Sequence, residues 1–535
     1  MVVPELRPWR AARPHAERFA NAVRPLLARA ATATKPRVAR VTRAVGPRLA
    51  ALVRPPRPRP VTTWQYIVCA AVAGLALACG AVTAAGPWDA DGQRTAERHR
   101  AAALERSGGT DHGGGSGGTV AGPRPAPSAA SVLTALGGTT TTVKSAPGEK
   151  SLADVLKPLL DSSALGRDHT AAVVDVATGR RLYGAGAGKA MTPASTTKIA
   201  TAVAALSALG ADHRLTTRAA FEPDTGELVL VGGGDPTLTA HDEADGGWAG
   251  LRVLARDTAA ALKKRGVHQV TLSYDTTLYA GSELHPIGVN DNLAPVSALM
   301  ADEGRTDDSA HGPVARVADP AADAARKFAA FLANAGIRTT SPGPSKATAR
   351  ANTLATVSSP PLSALVERML TNSDNDIAEA LARQTALATG RRPSFDGGAA
   401  AIAARLRTLG LPVTGAVFHD GSGLNRDDRL TADLLTALLV EAGSPRHPEL
   451  RPVLTGLPVA GFTGTLSSRY TDGAAGLVRA KTGTLTGVNT LAGTVVDHDG
   501  RLLAFAFLTS DTTDPDQAQK TLDRTASALA NCGCD

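Results

Sequence analysis

Met191-Thr192-Pro193-Ala194-Ser195-Thr196-Thr197-Lys198-Ile199-Ala200 is the stretch from which the rest of the chain can be read. Behind it runs A-T-A-V-A-A-L-S-A-L (Ala200 to Leu209), rich in strong helix formers. Pro193 suits the first turn of a helix. The reading is a helix that starts at or just before Ser195. Residues three apart share a helix face, so Ser195 and Lys198 point the same way from its first turn. A serine in the positive field of a helix N-terminus, with an amine one turn away, is a nucleophile with a base beside it. A capping serine followed by a solvent-facing lysine has the same spacing, and this motif alone does not separate the two.

Two further motifs follow. Ser373-Asp374-Asn375 lies in L-T-N-S-D-N-D-I-A-E-A-L, and Lys481-Thr482-Gly483-Thr484 in V-R-A-K-T-G-T-L-T-G. S-x-x-K, S-x-N and K-T-G each occur once, in that order. Taken singly, S-D-N could cap a helix and K-T-G could end a hairpin. Together and in this order they read as one site. Attack on a carbonyl needs Ser195 deprotonated as it reacts. Lys198 can take that proton if burial and a cationic neighbour such as Lys481 lower its pKa. Ser373 can relay a proton toward a leaving amine beside Lys198 or Lys481, and Asn375 offers an amide to hold a peptide group. On an edge strand, Lys481-Thr482-Gly483 would let an extended peptide add as a further strand, with Gly483 allowing close backbone approach. The backbone N–H groups of Ser195 and Thr484 would form an oxyanion hole. Lys481 with the hydroxyls of Thr482 and Thr484 suits a terminal carboxylate.

At this point the sequence resembles the penicillin-binding D-alanyl-D-alanine carboxypeptidase/endopeptidase family, of the low-molecular-mass class C type. The resemblance covers about 151–525. It includes V-G-G-G-D-P-T-L (Val231–Leu238), A-P-V-S-A-L (Ala294–Leu299) and D-G-S-G-L-N-R (Asp420–Arg426). It implies an α+β penicilloyl-serine-transferase (β-lactamase-like) fold and no cofactor. It also implies peptidoglycan peptide stems ending in D-Ala-D-Ala as substrate, and β-lactam antibiotics as covalent inhibitors. Arg426 matches an arginine that helps bind the carboxylate of the stem's diamino acid. The separation of Ser195 from Ser373 is shorter than in the fullest members, so one of two usual inserted subdomains is reduced or missing. Asn425 stands where serine is common. A β-lactamase carries the same three motifs, but no E-x-x-L-N, which would supply its deacylating glutamate, occurs here. A β-lactam sensor or wall-binding scaffold of the same fold is the non-catalytic alternative. The intact serines and lysines argue against it.

The export signals lie upstream. The chain has 535 residues and a net charge of +8. That charge sits at one end: residues 1–60 hold 14 Arg/Lys and 2 acidic residues, and the remainder is slightly acidic. Residues 1–63 read as a basic, Pro/Arg-rich disordered segment. Tyr66 to Ala85 is twenty residues without a charge, flanked by Trp64 and Trp88, long enough to span a bilayer. Residues 64–88 therefore read as a single-pass transmembrane anchor. The positive-inside rule places the N-terminus in the cytoplasm and the body outside the cell. A cleaved signal ending near Ala84-Ala85-Gly86 is the competing reading. Against this background the arginines read as topology determinants, and nucleic acid is not expected as a partner. Residues 89–150, with H-G-G-G-S-G-G and P-R-P-A-P, form a flexible linker.

No cysteine lies between Cys79 and Cys532, so the body has no disulfide framework of its own. Cys532 and Cys534 read as a frayed tail, and no Cys/His cluster has zinc-ligand spacing, so no metal site is expected. The catalytic domain is expected at 151–214 and 341–535, with an inserted smaller α/β subdomain at 215–340. Expected elements include an opening helix from Ser151 to Leu160, a strand at Thr170–Val176, and strands at Leu228–Val231 and Val267–Leu272. Helices follow at Leu251–Lys264 and Ala321–Ala335, with mainly helical structure over 361–443. The C-terminal part reads as a strand at Leu477–Thr482, a hairpin of Thr490–Val496 with Leu502–Thr509, and a helix capped by Asp514. Strands at both ends with helices between predict one antiparallel sheet built from both termini.

Overall fold

The computed structural model describes residues 149–241, 247–470 and 473–532. The expected basic segment at 1–63, the membrane anchor at 64–88 and nearly all of the 89–150 linker lie outside the described residues. Among the described residues no helix is long and apolar enough to cross a membrane.

In chain order, α1 (Glu149–Leu160) leads into β1 (Asp168–Asp175) and β2 (Arg181–Ala185), and then into α2 (Thr197–Leu209). An inserted region follows: β3 (Thr216–Glu222), β4 (Glu227–Val231), α3 (Leu251–Lys263), β5 (Gln269–Asp275), α4 (Pro320–Asn334), β6 (Arg338–Thr339), β7 (Gly343–Pro344) and β8 (Asn352–Ser358). Four helices come next: α5 (Leu362–Asn372), α6 (Asn375–Ala388), α7 (Phe395–Thr408) and α8 (Ala432–Gly443). The chain returns to strands with β9 (Val478–Leu485), β10 (Val488–Val496) and β11 (Leu502–Ser510), and closes with α9 (Pro515–Ala530). Asp514 caps α9 by accepting from the N–H groups of Asp516 and Gln517.

The main sheet has the order β2-β1-β11-β10-β9, antiparallel throughout and built from both ends of the body. Its two faces differ in side-chain size. Along β11, Leu503, Phe505 and Phe507 face one layer and Ala504, Ala506 and Leu508 the other, as the two-residue period of a strand requires. The large residues meet α1 (Leu152, Leu156, Leu160) and α9 (Leu522, Ala526, Leu529). Full burial of each such phenylalanine or leucine contributes about 1.5–3 kcal/mol. Cys532, expected in a frayed tail, is buried against this layer and disulfide-bonded, because α9 carries it onto the core. Cys534 lies outside the described residues.

The opposite face is lined with alanine. Ala172, Ala506 and Ala492 stand in register across β1, β11 and β10. Their methyl groups let the helical layer of α2, α5, α6 and α8 pack against the sheet. Every residue of α2 from Thr197 to Leu206 is buried. That fits its run of alanines: an enclosed helix packs closely through small side chains, with Lys198, Ile199 and Leu206 among the larger ones it buries. The row of alanines continues onto β9, where Ala492 is paired with Lys481. Directly paired residues project from the same face, so the register alone turns Lys481 toward α2.

The inserted region forms a second sheet in the order β6-β5-β4-β3-β8, with β7 beside β5. β4 and β5 are parallel, joined across α3, as a parallel pair requires a crossover. Leu251, Leu254, Ala255, Ala259 and Leu262 of α3, and Ala321, Ala324, Ala325, Phe328 and Leu332 of α4, share its core. The sheet extends past residue 340, the expected end of the insertion, because β8 pairs with β3. β5 begins two residues later than expected, at Gln269.

Candidate active site

α2 begins at Thr197 rather than at Ser195. Ala194–Thr196 form a 3-10 turn ahead of it, with Ala194 in the left-handed region at φ 48°. Such a conformation costs a non-glycine residue about 1–3 kcal/mol, which surrounding contacts must offset. Here they do. Pro193 O accepts from Thr196 Oγ1 at 2.6 Å and from Thr490 Oγ1 of β10 at 2.8 Å. The turn is thereby fixed to the sheet. Ser195 is half-buried, and Lys198 Nζ donates to its Oγ at 3.0 Å. The one-turn spacing thus gives contact, although the first turn is not α-helical.

Ser373 ends α5 in the left-handed conformation, φ 60°, and Asp374 caps α6 by accepting from Ile377 N at 3.0 Å. The S-D-N stretch is therefore a helix cap as well as part of the site: the reversal between two helices presents Ser373 and Asn375 on either side of the capping residue. Lys481 Nζ donates to Ser373 Oγ at 2.9 Å and to Thr482 O at 2.8 Å. Lys198 Nζ also donates to Asn375 Oδ1 and to Ser422 O, each at 2.7 Å. Asn375 Nδ2 donates to Asn292 O at 2.9 Å. The Asn375 amide, expected from sequence to hold substrate, thus spends its oxygen on Lys198 and one N–H on Asn292. One N–H remains for a further partner.

β9 is the edge strand of the main sheet. Its first residues are covered: Val459 bridges to Arg479, and Ala480 N donates to Pro458 O. Among the described residues no strand pairs with the outer edge of β9 beyond that point, while β10 pairs along its inner edge. Gly483 shows why the motif needs glycine. A Cβ there would lie 2.1 Å from Thr490 Oγ1, 2.7 Å from Pro193 O and 3.1 Å from Ala194 Cβ. β9 therefore packs directly against the turn that carries Ser195. Thr482 Oγ1 contacts Thr465 Oγ1 at 3.1 Å, and Thr484 is exposed on the open edge. Arg426 is exposed at the rim, its Nη2 donating to Thr486 O at 2.7 Å. Ser195, Lys198, Ser373, Asn375, Lys481 and Gly483 converge at the junction of α2, α6 and β9, with Arg426 peripheral to them.

Both lysines are completely buried. Burial lowers Lys198 to about 8, while Asp420, Glu379, Asp374 and Asp376 hold it up. Burial also drives Lys481 well below its usual range, and the charges of Lys198 and Arg469 add to that. The sequence leads one to expect Lys481 to depress Lys198. Burial is the first cause of the lowering at both lysines, and carboxylates oppose it at Lys198.

The gathering of those carboxylates around Lys198 is the part the motifs did not reveal. Asp420-Gly421-Ser422-Gly423 is a turn after α7. Glu379 of α6 accepts from the N–H of Gly421 at 3.0 Å and of Ser422 at 2.8 Å. Asp420 contacts His285 Nε2 at 2.9 Å. The D-G-S-G stretch could have marked the turn. Nothing in sequence pairs it with His285 or Glu379. The ligand atoms of His285, Glu379 and Asp420 lie close enough together to hold a metal ion, as do those of Glu303, Asp374 and Asp376. In both groups ion pairs and N–H donors already account for the geometry.

A sequence profile of the D-Ala-D-Ala carboxypeptidase 3 (S13) family matches residues 151–313 and 307–529. The chain is similar to a carboxypeptidase DacB of Mycolicibacterium smegmatis, with 38% identity over 401 residues, 72% of this chain and 85% of the relative. It is also similar to a D-alanyl-D-alanine carboxypeptidase of an Actinomadura species, with 30% identity over 420 residues, 64% of this chain and 78% of the relative. The crystal structure of penicillin binding protein 4 from Haemophilus influenzae shares its fold, with TM-score 0.58 at 22% identity, covering 71% of this chain and 98% of the other.

Proposed function

The chain belongs to the D-Ala-D-Ala carboxypeptidase 3 (S13) family, and on that premise we propose that Ser195 removes the terminal D-Ala from peptidoglycan peptide stems through an acyl-enzyme. The observation that carries the assignment of residues is the 3.0 Å contact between Lys198 Nζ and Ser195 Oγ, beside a second lysine–serine pair on the edge strand. Neutral Lys198 takes the proton from Ser195 as Oγ bonds to the carbonyl carbon of the D-Ala–D-Ala peptide. The N–H groups of Ser195 and Thr484 stabilise the oxyanion. The peptide C–N bond then breaks as the departing amine takes a proton from Ser373, which is hydrogen-bonded to Lys481, and the proton that Lys198 accepted is returned to Ser373. Water hydrolyses the ester and frees Ser195. The substrate lies along the open edge of β9 as an added strand, its carboxylate met by Lys481, Thr482 and Thr484. Arg426 at the rim meets the diamino-acid side chain. A β-lactam follows the same first step and stays attached.

The site requires an exported protein, since its substrate lies outside the membrane. The basic segment followed by twenty uncharged residues supports a single-pass anchor at residues 64–88 with the catalytic part extracellular. Protease shaving of intact cells should remove the catalytic part; full protection would overturn that topology. The reaction itself is tested with the full chain, a fluorescent penicillin and a D-Ala-D-Ala peptide. Covalent label and D-Ala release are expected, both lost in Ser195→Ala. Label that survives Ser195→Ala would refute the assignment.

A further inference from the structure

His285 is completely enclosed, edge-on to Phe395 with ring centroids 5.0 Å apart, and takes no part in the steps above. Its hydrogen bonds define its state. Ile287 N donates to Nδ1 at 3.2 Å, so Nδ1 is an acceptor and the proton of the neutral ring lies on Nε2. Nε2–H donates to Asp420 Oδ2 at 2.9 Å. Asp420 accepts two more bonds, from Gly423 N at 2.6 Å and Asn425 N at 2.7 Å. Glu379 holds the N–H groups of Gly421 and Ser422, and Thr201 Oγ1 donates to Gly421 O at 2.6 Å. The turn from Asp420 to Gly423 is thus held from several directions.

Two contacts leave this turn toward the reacting groups. Ser422 O accepts from Lys198 Nζ, and Gly423, φ +80°, lies so close to the turn before Ser195 that a Cβ would fall 2.0 Å from Ala194 O. We propose that His285, Asp420 and Glu379 are positioning residues: they fix the Asp420–Gly423 turn, and through it the distance between Lys198 and Ser195. The carboxylates have a second effect, since their charge sets where Lys198 gives up its proton. The charged groups facing Lys198 are Asp420 on the turn, Glu379, Asp374 and Asp376 on α6 and its cap, and Lys481 on β9. His285 comes from the loop after β5, and the same loop supplies Asn292 O to Asn375. The segment between β5 and α4 therefore grips the site at two points.

This rests on the reading of Lys198 as the base for Ser195. It is tested by the rate of labelling of the full chain with a fluorescent penicillin as a function of pH. His285→Ala is expected to slow labelling on the order of tenfold to a hundredfold, the penalty of misplacing a reacting group, with the same final stoichiometry. His285→Gln, which keeps an N–H at the Nε2 position, should recover most of the rate. Asp420→Asn removes a carboxylate that holds Lys198 up, so the rising limb of the rate against pH should move to lower pH. His285→Ala that melts like the wild type and labels at its rate would overturn the proposal, as would an unmoved limb in Asp420→Asn. Should His285→Ala fail to fold, Glu379→Gln decides: it is isosteric, keeps an acceptor, and should also move the limb down. An unmoved limb there refutes the role. Failure of the underlying reading appears differently, as label that survives Ser195→Ala.

Discussion

The helix side and the strand side of the site each hold a buried lysine bonded to a serine, and they differ in charge. Lys198 on α2 sits among Asp420, Glu379, Asp374 and Asp376. Lys481 on β9 has a hydroxyl and a carbonyl for partners and feels two cations. Equal burial therefore produces unequal lysines. The helix-side amine titrates near 8, close to working pH, as a base that must both take and return a proton should. Burial and the neighbouring cations push the strand-side amine well below its usual range, and its hydroxyl and carbonyl partners suit it to hydrogen-bond relay. The lesson is that a site can assign two chemically identical groups to different tasks by placing carboxylates around only one of them.

The largest test of this asymmetry removes the base. Lys198→Ala should slow penicillin labelling by about 10²–10⁴-fold, the usual worth of general-base catalysis, and stopped-flow labelling would measure it. A loss of only a few-fold would move the base to the strand side. Next comes the seam between the two sides. Gly483→Ala forces a Cβ to 2.1 Å from Thr490 Oγ1, so β9 must move away from the Ser195 turn. Calorimetric unfolding should show about 1–3 kcal/mol of destabilisation, the cost of overpacking, together with slower labelling. Unchanged stability would mean that β9 gives way freely. The pH profile sharpens the division. Wild-type labelling should rise with pH through a limb near 8, as Lys198 loses its proton. Lys481→Met should lower the rate and leave that limb in place. Disappearance of the limb would assign the titration to Lys481. The smallest effect is expected from Thr490→Val. It removes one of two side-chain donors to Pro193 O and should cost about 1 kcal/mol in thermal unfolding, with little change in labelling rate.

How much of this was legible in sequence follows from distance along the chain. Ser195 and Lys198 are one turn apart, so local spacing brought them together. Ser373 and Lys481 were found by the order of short motifs, and the strand pattern around K-T-G placed it on a sheet. Alternation in β11 was plain because large residues alternate with alanine. The strands β3 and β8 were not expected: β3 reads T-T-R-A-A-F-E and β8 N-T-L-A-T-V-S, and β8 lies mostly exposed. The His285–Asp420 contact joins residues 135 positions apart, and no local period encodes it. The Ala194 and Ser373 backbone conformations were likewise hidden, since neither residue type favours positive φ.

The partial cover over β9 has a further consequence for the life of the protein in solution. An uncovered sheet edge invites other chains to pair with it and so seeds aggregation. Here the segment Pro458–Ala460 occupies the first part of the strand, and only Thr482 to Leu485 remain free. That short opening would give an intruding protein strand few bonds to hold. The same strap that trims the binding edge thereby protects the molecule from its own kind.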